Sequence, residues 1–167
     1  MTPDLPEALV QGREREYLGW FYDAFSWQRG AIGAADMDEY LRTYTQPGAL
    51  RAGFAFYRNM PRDAEDNRAL VAAGLRLAMP VLGVYSDGDR FLTAGQMQNS
   101  AAYANGPFRY ACVEGVNHWL QQEAPERVNA LLLAFLATES LHGESQVRLD
   151  ASHCLDHEQR ACVIDAR

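Results

Sequence analysis

Apolar positions in the first part of the chain recur at helical spacing. Between residues 7 and 27 they alternate with charged side chains every three or four positions, which predicts an amphipathic helix. Asp36 followed by Glu39 has the spacing of a capping box, so we predict that a second helix follows Asp36. Residues 47–60 place their apolar side chains on one helical face, and Pro61 should end that helix. The first third of the chain is therefore predicted to be helical.

The pattern changes in the middle of the chain, where a further predicted helix, Ala64–Leu77, precedes two short apolar runs. Met79–Tyr85 is bounded by polar turn residues, as buried parallel strands are, and Phe108–Val113 is predicted to be a second strand. A weaker helix, Thr93–Tyr103, lies between them, and Pro125 suits the first turn of a final helix. The alternation of helices and strands predicts an α/β fold.

The predicted sheet is small, and the last part of the chain adds little to it. Two strands would leave long unpaired edges, whereas a sheet usually has about five or more strands. We therefore expect further strands upstream of this sequence. Apolar periodicity is lost over residues 138–167, which predicts a polar, disordered tail. The potential zinc ligands of this tail match no common closed zinc site, so we expect no metal. They are His153, Cys154, His157 and Cys162.

Composition and charge exclude several classes of function. The 167 residues suit one ordinary domain, and a hydrophobic content of 48% is enough for a core. The net charge is −7 and the basic residues are scattered, so we expect no nucleic acid as a partner. No apolar run approaches the roughly 18 residues that span a bilayer, so we expect no membrane contact. Three cysteines form no regular framework. These features together predict a soluble, cytoplasmic protein.

Candidate acid and base residues follow the two predicted strands. Asp87 and Asp89 lie in the turn after the first strand, and His118 lies in the loop after the second. A carboxylate that accepts the Nδ1 proton of a histidine fixes the tautomer and stabilises the imidazolium. We therefore predict that one of the two aspartates pairs with His118. Both aspartates flank Gly88 and are also ordinary turn formers, so either could be the partner.

Two segments of the chain resemble one known family. Residues 113–125 read VEGVNHWLQQEAP, and with the apolar helix that follows they are similar to the histidine loop and last helix of epoxide hydrolases and haloacetate dehalogenases. These proteins form a branch of the α/β-hydrolase superfamily. Residues 44–60 read YTQPGALRAGFAFYRNM and resemble the cap-domain helix of the same proteins. With residues 79–92, the similarity extends from Pro6 to Ala137, in the family's order.

The resemblance implies a partial α/β-hydrolase fold. A helical cap over residues 1–77 would be followed by the last two parallel strands and helices of the core over residues 78–137, and then by the tail. In that family an aspartate on the nucleophile elbow attacks an electrophilic carbon and forms an alkyl-enzyme ester, which water then hydrolyses. The resemblance implies a small epoxide or haloacid-type substrate and no cofactor.

The residue match also assigns catalytic roles. It makes His118 the water-activating base and Asp89 its acid, with Asp87 as the nearby alternative. Tyr57 matches one of the cap tyrosines that donate a hydrogen bond to the epoxide oxygen as the ring opens. Tyr57 lies on an apolar helix face, where tyrosines also serve in packing, so both interpretations stay open.

The nucleophile is the main departure from the family pattern. The sequence contains no G-x-S-x-G or G-x-D-x-G elbow, and no His-Gly oxyanion segment precedes the predicted strands. We therefore expect an amino-terminally truncated hydrolase that is inactive alone. The alternative is a non-catalytic binding or scaffold module that pairs with itself, as a homo-oligomer, or with a complementary amino-terminal half. A third hypothesis uses Ser86 as an esterase nucleophile, but Val84 stands where an elbow has glycine, which favours a turn serine.

Overall fold

The computed structural model describes residues 4–140 and 161–166, and of residues 139–140 and 161–166 it describes the backbone alone. The chain divides into two compact units. Among the described residues, the helical unit takes residues 4–24 and Gln28–Leu75. The sheet unit takes the short segment Phe25–Trp27 and the described residues from Arg76 onward.

Four helices build the helical unit. They are α1 Leu5–Val10, α2 Glu14–Ala24, α3 Ala34–Tyr44 and α4 Ala49–Ala72. The single helix predicted over residues 7–27 is wrong, because the backbone turns at Gly12, where φ is 78°. An L side chain rarely adopts that conformation, whereas glycine does so freely. The N–H of Gly12 donates to Glu14 Oε1 at 3.0 Å, which fixes the turn into α2.

The start of α3 also differs from the prediction. Gly33, and not Asp36, is the residue that caps the helix. Asp36 occupies the third helical position, and its Oδ2 accepts the N–H of Gly33 at 3.3 Å. The carboxylate therefore satisfies a free N–H at the helix start from inside the first turn, where it also suits the helix dipole.

Helix α4 runs through the proline that we expected to end it. Pro61 lies inside this 24-residue helix, so the two helices predicted on either side of Pro61 are one. A proline in a helix removes one backbone hydrogen bond, here to the carbonyl of Tyr57, and costs about 3 kcal/mol. Residues 61–70 are exposed. Because water can reach this stretch and most of its residues favour helix, the helix continues beyond the proline.

The core of the helical unit joins α1 and α2 to α4. Leu18 and Phe54 are its most buried side chains, and the Tyr17 ring meets Phe54 edge-on with centroids 5.9 Å apart. The guanidinium of Arg58 donates two hydrogen bonds of 2.7 Å to the two oxygens of Glu7. This bidentate pair is largely buried and ties α1 to α4.

The Glu7–Arg58 pair predicts an acid-sensitive helical unit. The hydrogen bonds from Arg58 lower the pKa of Glu7 from its ordinary value of 4.5 to about 2. A lowered pKa means that the pair stabilises the fold fully above pH 4.5 and that this contribution disappears as the pH falls towards 2. We expect Glu7→Gln to lower the urea midpoint at pH 6 and to have less effect at pH 3. Glu65→Gln, at an exposed position of α4, is the control and should change neither midpoint; an equal loss at both pH values for Glu7→Gln would contradict the expectation.

The sheet unit contains the two parallel strands that the sequence predicts. Strand β1, Val81–Ser86, pairs with β2, Phe108–Val113, in a register that places Ser86 beside Val113. The carboxyl ends of both strands therefore lie side by side. The described helices of this unit are α5 Ala94–Ser100, α6 Leu120–Glu123 and α7 Pro125–Ser140, and a short 3-10 turn, Ala101–Tyr103, follows α5. The start of α7 at Pro125 confirms the predicted helix.

A third strand was not predicted. Strand β3, Ala161–Ala166, pairs with β2 in antiparallel orientation, which makes β2 the middle strand of the described sheet. The expectation of a disordered tail falls mainly on residues 141–160 and 167, which lie outside the described residues, as do His153, Cys154 and His157. Within the described part of the chain, no cluster of three or more metal-ligating side chains is found. No described helix is both long and apolar enough to cross a membrane.

The core of the sheet unit lies next to the loop that carries His118. Ala111 and Val113 of β2 are fully buried. The other members of the same cluster are Val116, Leu120, Ala124, Val128 and Leu131. Because cluster members precede and follow His118 in sequence, both ends of its loop are anchored in packed structure.

Candidate active site

The structure brings His118 and Asp89 together. His118 Nδ1 lies 2.9 Å from Asp89 Oδ2, across the carboxyl ends of β1 and β2. The Asp89 side chain is 1% exposed and that of His118 is 29% exposed. A buried carboxylate thus contacts one imidazole nitrogen while part of the ring remains open to solvent. The predicted proximity is confirmed, and the catalytic roles of both residues stay predictions.

The environment of Asp89 favours its ionised form. Burial raises the pKa of this carboxyl, but the hydrogen bond from the N–H of Phe91, the contact with His118 and the N–H of Leu92 outweigh burial and lower the pKa below its ordinary value. The N–H of Phe91 donates to Asp89 Oδ1 at 2.7 Å. Asp89 is therefore ionised at neutral pH and can only accept a hydrogen bond from His118. Such a bond would put the proton of a neutral imidazole on Nδ1 and leave the lone pair of Nε2 available to take a proton.

Asp87, the alternative acid, has a different partner. It is exposed, and its Oδ1 accepts the N–H of Gly115 at 2.8 Å. Asp87 therefore ties the turn after β1 to the backbone of the histidine loop. The geometry favours Asp89 over Asp87 as the partner of the imidazole.

Aromatic rings surround His118. The centroids of Trp119, Phe91 and Phe25 lie 4.8, 5.3 and 6.2 Å from that of the imidazole, all at steep interplanar angles. Phe25 belongs to the short segment Phe25–Trp27. This segment is part of the sheet unit, although the residues on either side of it belong to the helical unit. These rings restrict the orientation of the imidazole and limit the access of water to it.

Ser86 anchors the histidine loop. It is 2% exposed, and its Oγ donates a hydrogen bond of 2.7 Å to the carbonyl of Asn117. A nucleophile needs an accessible oxygen next to a base, whereas this hydroxyl is buried and donates to a backbone carbonyl. The geometry therefore favours a turn serine over an esterase nucleophile.

Tyr57 lies on α4 in the helical unit. It is 43% exposed and meets the ring of Phe56 edge-on. Its assignment as a ring-opening tyrosine stays a prediction.

Two other tyrosines of the helical unit, Tyr22 and Tyr40, have ring centroids 5.0 Å apart. Burial and the neighbouring tyrosines raise the pKa of Tyr22 to about 12. Tyr22 is therefore protonated at neutral pH, as a hydrogen-bond donor must be.

Sequence analysis missed Glu123, which ends α6. One of its oxygens, Oε1, accepts the N–H of Asn117 at 3.0 Å, and Oε2 accepts the N–H of Trp27 at 2.6 Å. The segment Phe25–Trp27 was also missed as a part of the site. No local pattern marks either of them, and the contact between Glu123 and Trp27 joins parts of the chain that are 96 residues apart.

Several known proteins are similar to this chain in sequence. No protein-family model matches the chain. It is 35% identical over 105 residues to Epoxide hydrolase A of Mycobacterium tuberculosis, a match that covers 63% of this chain and 32% of that protein. It is 29% identical over 142 residues to human Epoxide hydrolase 4, covering 83% of this chain and 38% of that protein.

Solved structures are similar to this chain in both fold and sequence. Cfl2 from Burkholderia cenocepacia is 36% identical with a TM-score of 0.71, and the match covers 80% of this chain and 44% of Cfl2. The epoxide hydrolase CorEH is 25% identical with a TM-score of 0.69, and the match covers 81% of this chain and 47% of CorEH. The chain is related to the epoxide hydrolase-like branch of the α/β-hydrolases. It has a partial α/β-hydrolase fold and spans about a third of the two curated relatives and less than half of the two solved chains.

Gly88 is predicted to be essential for the contact between the acid turn and the histidine loop. A Cβ on Gly88 would lie 2.5 Å from the carbonyl oxygen of Val116 and 2.9 Å from the Trp27 ring. Because a backbone carbonyl cannot move away cheaply, we expect Gly88→Ala to destabilise the fold by about 1–3 kcal/mol. Urea unfolding measures this loss.

Gly95 provides the matched control for Gly88. It lies in α5, and a Cβ there would meet nothing within 4 Å. Gly95→Ala should therefore be neutral or stabilise the fold by up to about 1 kcal/mol. Equal effects of the two substitutions would contradict the packing argument.

Proposed function

We propose that this chain supplies the water-activating pair and the tyrosine-bearing helices of a hydrolase that opens a small epoxide or a related electrophile. The observation that carries the proposal is the 2.9 Å contact between His118 Nδ1 and Asp89 Oδ2. The relatives named as epoxide hydrolases support the substrate class.

The proposed chemistry uses each group of the pair in one role. Ionised Asp89 accepts the Nδ1 proton of His118, so Nε2 can remove a proton from water. The resulting hydroxide attacks the carbonyl carbon of an alkyl-enzyme ester, and the bond between that carbon and the alkyl oxygen breaks. His118 returns the proton to the departing alkoxide, which releases a diol. Tyr57 would donate its O–H to the epoxide oxygen in the earlier ring-opening step.

The nucleophile must come from outside these 167 residues. The sequence contains no elbow motif that could carry it, so an ester cannot form on these residues alone. We infer that turnover requires a polypeptide segment that carries the nucleophilic aspartate and the oxyanion donors. The alternative, a non-catalytic module that pairs with itself or with a complementary half, requires neither nucleophile nor water activation.

A hybrid protein tests the proposal. The amino-terminal part of Epoxide hydrolase A of M. tuberculosis, up to the start of its match, would be joined to this chain, and hydrolysis of styrene oxide would be measured. We expect background rates for this chain alone and turnover by the hybrid. Circular dichroism checks that the hybrid folds. A folded hybrid without turnover would argue against the proposal and for the non-catalytic module.

A further inference from the structure

The backbone of the histidine loop is held from several directions. The peptide group between Val116 and Asn117 is bonded at both ends. Its carbonyl accepts the N–H of Gly88 at 3.2 Å, and its N–H donates to Glu123 Oε1 at 3.0 Å. A peptide group with both ends bonded cannot rotate without breaking a hydrogen bond.

The next peptide group is held in the same way. The carbonyl of Asn117 accepts the hydroxyl of Ser86 at 2.7 Å, and the N–H of His118 donates to the carbonyl of Phe25 at 3.1 Å. Both peptide groups that lead into His118 are therefore fixed. Their orientation fixes the position of the His118 backbone N–H and limits the directions that the Cα–Cβ bond of His118 can take, and with them the positions that the imidazole can reach.

Glu123 connects the supports of these two peptide groups. Its Oε2 accepts the N–H of Trp27, two residues after the carbonyl that holds His118. One carboxylate thus joins the histidine loop to the segment Phe25–Trp27. Hydrogen bonds to a charged acceptor are the stronger kind, and a lost partner leaves an N–H unsatisfied.

We propose that Glu123 is a positioning residue, whose carboxylate holds the histidine loop so that His118 presents Nδ1 to Asp89. The inference rests on the proposed function, since a fixed imidazole matters only where the ring acts as a base. Both carboxylate oxygens are needed. In glutamine one oxygen is replaced by an NH₂ group, which would face a backbone N–H and cannot accept its proton.

The tautomer of His118 tests the inference in the chain as it exists. Correlation spectra of the ¹⁵N-labelled imidazole distinguish the form protonated at Nδ1 from the form protonated at Nε2, and His118→Gln assigns the signal. We expect the Nδ1–H form in the parent chain. In Glu123→Gln and Glu123→Ala, the ratio of the Nδ1–H form to the Nε2–H form should fall by about fivefold or more. This factor corresponds to the loss of one net hydrogen bond.

Glu126→Gln is the matched control. Glu126 is an exposed carboxylate in the first turn of α7, and its substitution removes the same charge close by in sequence. The tautomer should not change in this variant. A residue that only stabilised the fold would shift the urea midpoint without changing the tautomer.

The outcomes separate the two proposals. If the parent chain lacks the Nδ1–H form, the proposed function is wrong. If the parent chain has it and Glu123→Gln keeps it, the positioning role of Glu123 is wrong while the proposed function stands. If Glu123→Ala does not fold, Glu123→Gln decides, because it preserves the size of the side chain.

Discussion

Replacing His118 with alanine in the hybrid protein is expected to lower the rate of styrene oxide hydrolysis by about 10³-fold or more. Losses of this size are typical when one residue of a catalytic group is removed. The loss should fall on the second step, because His118 is proposed to activate the water that attacks the ester. Steady-state rates and the size of the first-turnover burst would separate the two steps.

Asp89→Asn should act in the same direction as His118→Ala. An amide can offer its N–H to Nδ1 and so favour the tautomer with the proton on Nε2, where no base is then available. Glu126→Gln serves again as the control and should keep the rate of the hybrid. Full turnover in His118→Ala would show that another group activates the water.

Leu120→Ala is expected to destabilise the sheet unit by about 2–5 kcal/mol. Leu120 is 6% exposed and belongs to the core cluster that borders the histidine loop. Alanine would leave a cavity there, since the neighbouring side chains can close it only in part. Urea unfolding of the chain measures the loss.

Leu133→Ala is the matched control for this substitution. Leu133 lies on α7 and is 67% exposed, so the same change in side chain should alter stability by no more than about 0.5 kcal/mol. A loss equal to that of Leu120→Ala would mean that Leu133 is buried in solution, against an unpredicted neighbour or a second copy.

The acid–base pair could be predicted because its signals are local in sequence. Each residue directly follows an apolar strand, and parallel neighbouring strands end at the same edge of a sheet. In the structure, the register of β1 and β2 places the carboxyl ends of the two strands side by side. The choice between Asp87 and Asp89 needed the structure, because both flank the same glycine and only distance and burial distinguish them.

The helical unit shows where local patterns mislead. Periodicity continued across Gly12, although the backbone turns there, because a pattern of apolar positions carries no information on φ. Pro61 indicated a helix end, but a strongly helical sequence and an exposed surface outweighed its cost. Asp36 gave a correct cap signal at the wrong position, since a carboxylate at the third helical position can also accept an N–H at the helix start, here that of Gly33.

The support that Glu123, Ser86 and the segment Phe25–Trp27 give to the histidine loop could not be predicted from the sequence. Their role depends on hydrogen bonds to backbone groups, which every residue carries and no sequence pattern marks. Ser86 bonds to Asn117, 31 residues away, and one of the two partners of Glu123, Trp27, lies 96 residues away. Such supports follow from the packed fold, and the catalytic side chains alone do not reveal them.

The mass of the trapped intermediate tests the central claim most directly. The hybrid with His118→Ala would be mixed with excess styrene oxide, and the intact protein would be weighed. We predict that the protein gains the mass of one styrene oxide, because the ester forms but no histidine activates the water that removes it. An unmodified mass together with undiminished turnover would contradict the role that we assign to His118.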